Sequence, residues 1–379
     1  MTNGRLEPEV SARETEQAIA TTVSEGRDEW FPDIPGRSVR LQPISVRPRA
    51  LLYGVHLDDG DVPQVLAKVR RDSAVAAGEM GGTSSDRPRL RTDVATAAEL
   101  THFEYLGLSS IANLFRPDDP RFDAVRPLAE LSEHSTILMD FHHAPTLHRV
   151  LMGQSRLSRI RHPIRARLPV PDVWSDAGGW LRRFHDGSPS EGLAVRQHTR
   201  ESVLERFAAY SSYFGVRGMT DAQSVAREGE ALAAITVPEE LPMAVGHGDY
   251  APRNLFVDRS GRVTVIDPMP RWVVPRVEDI GRFLIALRLL GLQLHSHGAA
   301  YSQAWLADRE REFVTGYFGE ASVPAQLLWT YEVLILLDKW SALSERGGRG
   351  RDRLESAGVR LAGPYVTRQA RRLLDLAQR

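Results

Sequence analysis

Short runs of alternating apolar and polar residues follow Val39, and long stretches with an apolar residue every three or four positions dominate the later chain. Val39–Val46, Ala50–Leu57 and Gln64–Val69 read as strands of a meander, with Asp58-Asp59-Gly60-Asp61 as a turn. Ala124–Leu128 and Ser135–Phe141 add two more strands. Before them, Thr92–Asn113 reads as a helix striped by Leu100, Phe103, Leu106 and Ile111. An amphipathic helix is expected over Glu7–Ser24, with Trp30 and Phe31 anchoring this N-terminal extension to the strands. Later helices are expected over Asp172–His185, Thr199–Tyr213, Asp221–Ala234, Tyr301–Tyr317, Ala325–Ser344 and Tyr365–Gln378. Gly78–Pro88 and Gly347–Gly350 read as flexible breaks.

One stretch departs from this pattern. From Val245 to Phe283, polar residues interrupt short apolar runs: Met243–Val245, Leu255–Val257 and Val263–Ile266 read as strands, and Asp258–Gly261 as the turn joining the last two. That hairpin puts Asn254 at the start of one strand, Asp267 at the end of the next, and Asp249 in the loop before both. Converging carboxylates repel and lose hydration unless a cation shares them. Few, hard oxygen ligands suit Mg²⁺, which keeps waters and takes substrate phosphates as further ligands. Asn254 follows Asp249 by five positions and Asp267 by eighteen. Either aspartate alone fits a turn cap or a strand end. The set, in this order, fits a phosphoryl-transfer site in which a catalytic Asp precedes an Asn and an Asp that bind metal.

At His247-Gly248-Asp249 with Asn254, and at Ile266-Asp267-Pro268, the chain resembles the aminoglycoside phosphotransferase and choline kinase family, small-molecule kinases of protein-kinase-like fold. The resemblance implies an α+β fold of two lobes, a small antiparallel-sheet lobe and a larger, mainly helical one. It divides the chain into an extension over 1–38, a sheet lobe over 39–142 and a helical lobe over 143–379. It implies ATP and Mg²⁺, with Asp249 as catalytic base and Asn254 and Asp267 as metal ligands. Lys68, in Val65-Leu66-Ala67-Lys68-Val69, matches the strand lysine that holds ATP phosphates. Glu104 matches its helical partner, with Glu99 in reserve. The hinge between lobes falls after Phe141, where backbone groups of Asp140, Phe141 and His142 are expected to meet the adenine. Asp279 matches a residue that braces the catalytic loop, and Ala177–His185 a helix that supports it. The first turn departs from the kinase pattern: Ile44–Ala50 has no glycine, so Ser45, Arg47 and Arg49 are the candidates to cover the phosphates.

Composition narrows the function further. A chain of 379 residues suits two lobes, and a formal net charge of −1 gives no general attraction to nucleic acid or anionic membrane. With no Cys, neither disulfides nor thiolate metal sites arise. The polar N-terminus lacks the apolar core of a signal peptide, and no apolar stretch is long enough for a bilayer, so a soluble, cytoplasmic protein is expected. Of 48 basic residues only Lys68 and Lys339 are lysines. A lysine kept where arginine is the habit points to a compact ammonium at Lys68, whereas Lys339 reads as a solvated helix residue. His142-His143 reads as an exposed loop and the arginines of 156–167 as a solvated linker.

The acceptor is expected in the helical region, over Thr199–Ala234 and Tyr301–Trp340. Trp272, Trp305, Trp329 and Trp340 could supply an aromatic cage for choline, but helical tryptophans more often fill cores. A sugar, an aminoglycoside or a similar polyol is the expected hydroxyl substrate. Two alternatives are a catalytically silent nucleotide-binding relative and a metal-dependent phosphohydrolase using His247, Asp249 and Asp267.

Overall fold

The computed structural model describes residues 7–34, 38–47, 49–58, 60–71, 87–90, 95–116, 118–155, 173–196, 199–348 and 353–379. The Gly/Ser-rich stretch before Arg87, the arginines of 156–167, and Pro48 and Asp59 in the predicted turns lie outside the described residues, as do positions 349–350 of the late break. The chain divides into two compact units. One draws its described residues from 7–71, 95–115 and 124–143, the other from 87–90, 116–123 and 144–379.

In the first unit, β1 (Val39–Arg47), β2 (Ala50–Leu57), β3 (Val65–Arg70), β4 (Pro127–Leu131) and β5 (Thr136–Asp140) form an antiparallel sheet in the order β1-β2-β3-β5-β4. Strand alternation decides what each face carries. Val65, Ala67 and Val69 join Tyr53, Val55, Leu57 and Leu138 in a buried cluster closed by Ile19 and Val23 of helix α1 (Glu7–Trp30). Trp30 and Phe31 pack against this cluster. Lys68 is one step out of phase and so leaves from the opposite face.

Helix α2 (Ala97–Leu114) begins five residues later than its apolar stripe suggests, because Thr96 caps it. Thr96 Oγ1 accepts the Glu99 N–H at 3.2 Å, and the Glu99 carboxylate accepts the Thr96 N–H at 2.8 Å. Such a reciprocal cap contributes about 1 kcal/mol. It also occupies Glu99 at the helix start and leaves Glu104, deep in the helix, as the residue that faces β3.

The second unit is mainly helical: α3 (Leu147–Gln154), α4 (Val173–Gly187), α5 (Arg200–Val216), α6 (Thr220–Thr236), α7 (Arg276–Arg288), α8 (Gln303–Phe318), α9 (Ala325–Gly348) and α10 (Arg353–Ala377). Short strands run among them, including β6 (Met243–Val245), β7 (Leu255–Val257), β8 (Val263–Val265) and β9 (Trp272–Pro275). β7 and β8 form the predicted hairpin, and β9 pairs antiparallel with β6. Helices α4 and α8 approach to backbone contact. A Cβ on Gly178 would lie 2.1 Å from the Phe313 carbonyl oxygen, and one on Gly316 2.0 Å from that of Ser175. Only glycine permits that approach, and it seats the first turns of α4 against the C-terminal turns of α8.

Among the described residues no helix is long and apolar enough to cross a membrane.

Candidate active site

In the first unit Lys68 meets Glu104 across the sheet–helix interface, Nζ to Oε1 at 2.9 Å, with both residues buried. The second carboxylate oxygen of Glu104 is taken by Arg70, two residues along the same strand face. One buried carboxylate therefore serves two cations. Arg70 was not foreseen, although its period-2 offset from Lys68 is visible in the sequence. At the expected adenine contact, the Asp140 N–H donates to Arg126 O at 3.0 Å and the Phe141 N–H to Gln64 O at 2.8 Å. The Asp140 carboxylate is gripped by Arg126 at 3.1 Å through both oxygens. These three groups of Asp140 and Phe141 are thus engaged within the unit.

In the second unit the segment after β6 and the segment after β8 are laced side by side. The Gly246 N–H donates to Trp272 O at 2.9 Å, Met269 N–H to His247 O at 2.7 Å, and Ile266 N–H to Asn254 O at 3.0 Å. With Val265 opposite Leu255 in the hairpin, this puts Asn254 and Asp267 at one end of it. The Asn254 amide nitrogen lies 2.9 Å from the Asp249 carboxylate and 2.9 Å from its main-chain oxygen. With that nitrogen used, the Asn254 carbonyl oxygen is the group able to ligate a cation, and Asp267 lies at the same end of the hairpin. Asp267 has φ of 59° and Gly248 of 93°. A left-handed Asp is tolerated better than most side chains, and such conformations gather where a site must hold a side chain against local preference.

The loop rests on an aromatic layer. Trp180 stacks on Phe184 and on Tyr250 at 5.5 and 5.7 Å, and the His247 ring meets all three edge-on at 5.3–6.0 Å. The Tyr250 hydroxyl donates to Ala177 O at 2.6 Å, and its burial raises its pKa well above the ordinary value. Fully buried Asp279, at the start of α7, accepts the His247 and Gly248 N–H groups at 2.5 and 3.3 Å. His185 lies 3.4 Å from Asp279 and 2.7 Å from the Tyr317 hydroxyl, a chain that spans the glycine contact of α4 and α8. The helix expected to support the loop does so.

Two further cations approach Asp249. Arg253 pairs with its carboxylate, and about half of each side chain is exposed. Lys339 corrects the sequence expectation. It is a half-buried residue lining a cavity with Asp249, Arg253 and Arg282, and burial, then Arg282, lower its pKa to about 8. A helical lysine flanked by Asp338 and Trp340 gave no periodic sign of this, since α9 is buried around most of its circumference. Three of the four tryptophans considered for a cage have other contacts. Trp305 stacks on Tyr301 at 4.9 Å, Trp340 packs on Phe214 at 5.9 Å, and Trp272 carries the guanidinium groups of Arg196 and Arg271 at 4.3 and 4.6 Å.

Residues 127–313 match the model of the phosphotransferase enzyme family, APH. Over those residues the chain is similar to that family. It is a small-molecule kinase with a hydroxyl acceptor. No curated protein matches it in sequence. Among solved structures, Plasmodium vivax ethanolamine kinase is similar at 12% identity over 93% of this chain and 90% of that one, with a TM-score of 0.55. Choline kinase from Cryptosporidium parvum is similar at 10% identity over 95% and 96%, TM-score 0.53. Spectinomycin phosphotransferase APH(9)-Ia, in complex with ADP and spectinomycin, is similar at 13% identity over 94% and 98%, TM-score 0.52. At these identities the likeness establishes the protein-kinase-like fold.

Proposed function

We propose that this small-molecule kinase moves the γ-phosphoryl group of ATP to a hydroxyl of its acceptor, with Asp249 as the base. The observation that carries it is the Asn254–Asp249 contact, which orients the carboxylate and leaves the amide carbonyl oxygen to serve as a cation ligand. Asp249 would accept a hydrogen bond from the acceptor hydroxyl and orient its oxygen. As the new O–P bond forms, the bond from the γ-phosphorus to the bridging oxygen breaks, ADP leaves, and the hydroxyl proton passes to Asp249 and on to solvent. Asn254 and Asp267 would hold Mg²⁺, whose charge, when bound, offsets that of the phosphates. Lys68, fixed by Glu104, would bind the phosphate oxygens. Asp279, His185 and the aromatic layer keep the loop in position, where small displacements are costly in rate.

His247 speaks against a two-metal hydrolase. Its ring is fully buried among Trp180, Phe184 and Tyr250, away from where a metal ligand would have to stand. A screen of hydroxyl acceptors for ADP production, with ATP and Mg²⁺, tests the proposal. Acceptor-dependent ADP release that disappears in Asp249→Asn supports it. Phosphate release without any acceptor, at the same rate in Lys68→Ala, would overturn it.

A further inference from the structure

The cavity beside Asp249 holds about 280 Å³. Its polar wall is His148, Arg253, Arg282 and Lys339, and its apolar wall includes Leu289 and Leu290. Two of the three cations already have partners. Arg253 pairs with Asp249, and the Arg282 Nε and Nη2 lie 3.0 and 2.7 Å from one oxygen of Glu278. Lys339 forms no hydrogen bond or ion pair with the described residues. The neighbouring Asp338 carboxylate is used by the Tyr210 hydroxyl at 2.9 Å and by Arg87. His148 is held toward its neutral form by burial and by Arg253, so it offers hydrogen bonds rather than charge.

An ammonium brought out of water with no counter-ion is unfavourable, and a ligand anion relieves that cost. A further ammonium would meet three cations and one carboxylate. Polycationic acceptors are therefore the worst match for this wall, and a neutral polyol leaves Lys339 as it was. The volume, near the lower end for small-molecule pockets, suits a compact acceptor.

We infer that the acceptor is a compact hydroxy compound carrying an anionic group, carboxylate or phosphate, which Lys339 binds while the hydroxyl faces Asp249. This rests on the phosphoryl-transfer proposal for its chemistry, but anion binding by Lys339 can be measured without turnover.

The experiment uses matched ligands that share hydroxyls and differ in charge: glucuronate, glucose and glucosamine, and 4-hydroxybutyrate, 1,4-butanediol and 4-aminobutanol. Binding to the full chain is measured by calorimetry without nucleotide, and ADP release with ATP and Mg²⁺, for the wild type, Lys339→Gln and Lys339→Glu. The carboxylate members are expected to bind at least tenfold tighter than their neutral and amine counterparts. Lys339→Gln should erase that advantage and Lys339→Glu should transfer it to the amines, with circular dichroism showing both variants folded. Glucose 6-phosphate in the same titration separates the two anions, a larger gain than glucuronate assigning the site to a phosphate. Tight carboxylate binding without ADP release would uphold the anion site and count against phosphoryl transfer. Tightest binding by the amines, equal binding across both trios in wild type and Lys339→Gln, or no binding by any member would overturn the inference.

Discussion

Asn254 spends its side-chain nitrogen entirely on one residue, lying 2.9 Å from the main-chain oxygen of Asp249 and 2.9 Å from its carboxylate. The pair ties the end of the catalytic loop to its middle, and it assigns opposite duties to the two ends of one amide. Asp249→Asn keeps the shape and removes the proton acceptor. Transfer should fall by about 10²–10⁴-fold, with ATP affinity by calorimetry nearly unchanged. Asn254→Leu loses the tether and the carbonyl together, so it should lower kcat and raise KM for MgATP at once. Normal turnover by Asp249→Asn would remove the base from the mechanism.

Glu104 pairs with both Lys68 and Arg70 inside the first unit. Losing the shared partner is therefore worse than losing either cation. Glu104→Ala should destabilise by about 3–5 kcal/mol, as removal of one side of a buried pair does, whereas Lys68→Met leaves Glu104 its arginine and should cost less. In kinetics the order reverses for nucleotide binding, where Lys68→Met should raise KM for ATP at least tenfold. Urea unfolding midpoints and initial rates measure the two effects. Equal destabilisation by both substitutions would contradict the shared-carboxylate arrangement.

The residues that could be read in advance are those whose spacing is imposed by local geometry. Lys68 alternates with buried neighbours on a strand, and Asn254 and Asp267 flank the open end of a short hairpin, so period and turn chemistry suffice to place them. Arg70, Arg253 and Lys339 were not foreseen because what matters about them is what comes to lie opposite. Arg253 stands four residues after Asp249, in a single 3₁₀ turn that follows the loop, where sequence spacing says little about contact. Lys339 lies on a helix buried on most sides, which erases the polar stripe that would mark an exposed face. Gly178 and Gly316 are silent in sequence for the same reason: each is a helical glycine whose use appears only when a second helix arrives.

Those two glycines set the approach that lets His185 reach Tyr317 and Asp279. In Gly316→Ala the added methyl would meet the Ser175 carbonyl at 2.0 Å, and the helices must part. A loss of about 1–3 kcal/mol is expected from overpacking, with kcat reduced more than KM because His185 on α4 shifts away from Asp279. Gly153→Ala is the control: it is exposed in α3 with nothing within 4 Å of the added carbon, and should stabilise by about 0.5–1 kcal/mol. Thermal unfolding of both, with rates at a temperature where both are folded, checks this. Unchanged stability in Gly316→Ala would show that the helices can separate without cost.

Lys339 makes the site pH-dependent in a direction that can be worked out. Burial, then Arg282, lower its pKa from 10.5 to about 8, with Arg253 acting in the same direction and Asp338 and Asp249 opposing. His148 faces the same cavity and is itself held toward neutrality. Below pH 8 both folded and unfolded chains hold the lysine proton, and the folded one bears the cost of the confined charge. Between about 8 and 10.5 the unfolded chain holds more protons, so this group makes stability rise with pH. The shift corresponds to about 3 kcal/mol at full burial, and partial solvation trims it to about 1–2 kcal/mol. Lys339→Met should be more stable than the wild type by that amount at pH 7, with the difference vanishing by pH 10.5. Binding of an anionic acceptor runs the other way, since it needs the charge. Its KM should climb above pH 8 in the wild type and stay low to higher pH in Lys339→Arg. Urea midpoints and acceptor KM values over this range measure both slopes. Parallel profiles for wild type and Lys339→Met would show that the ammonium is already fully solvated.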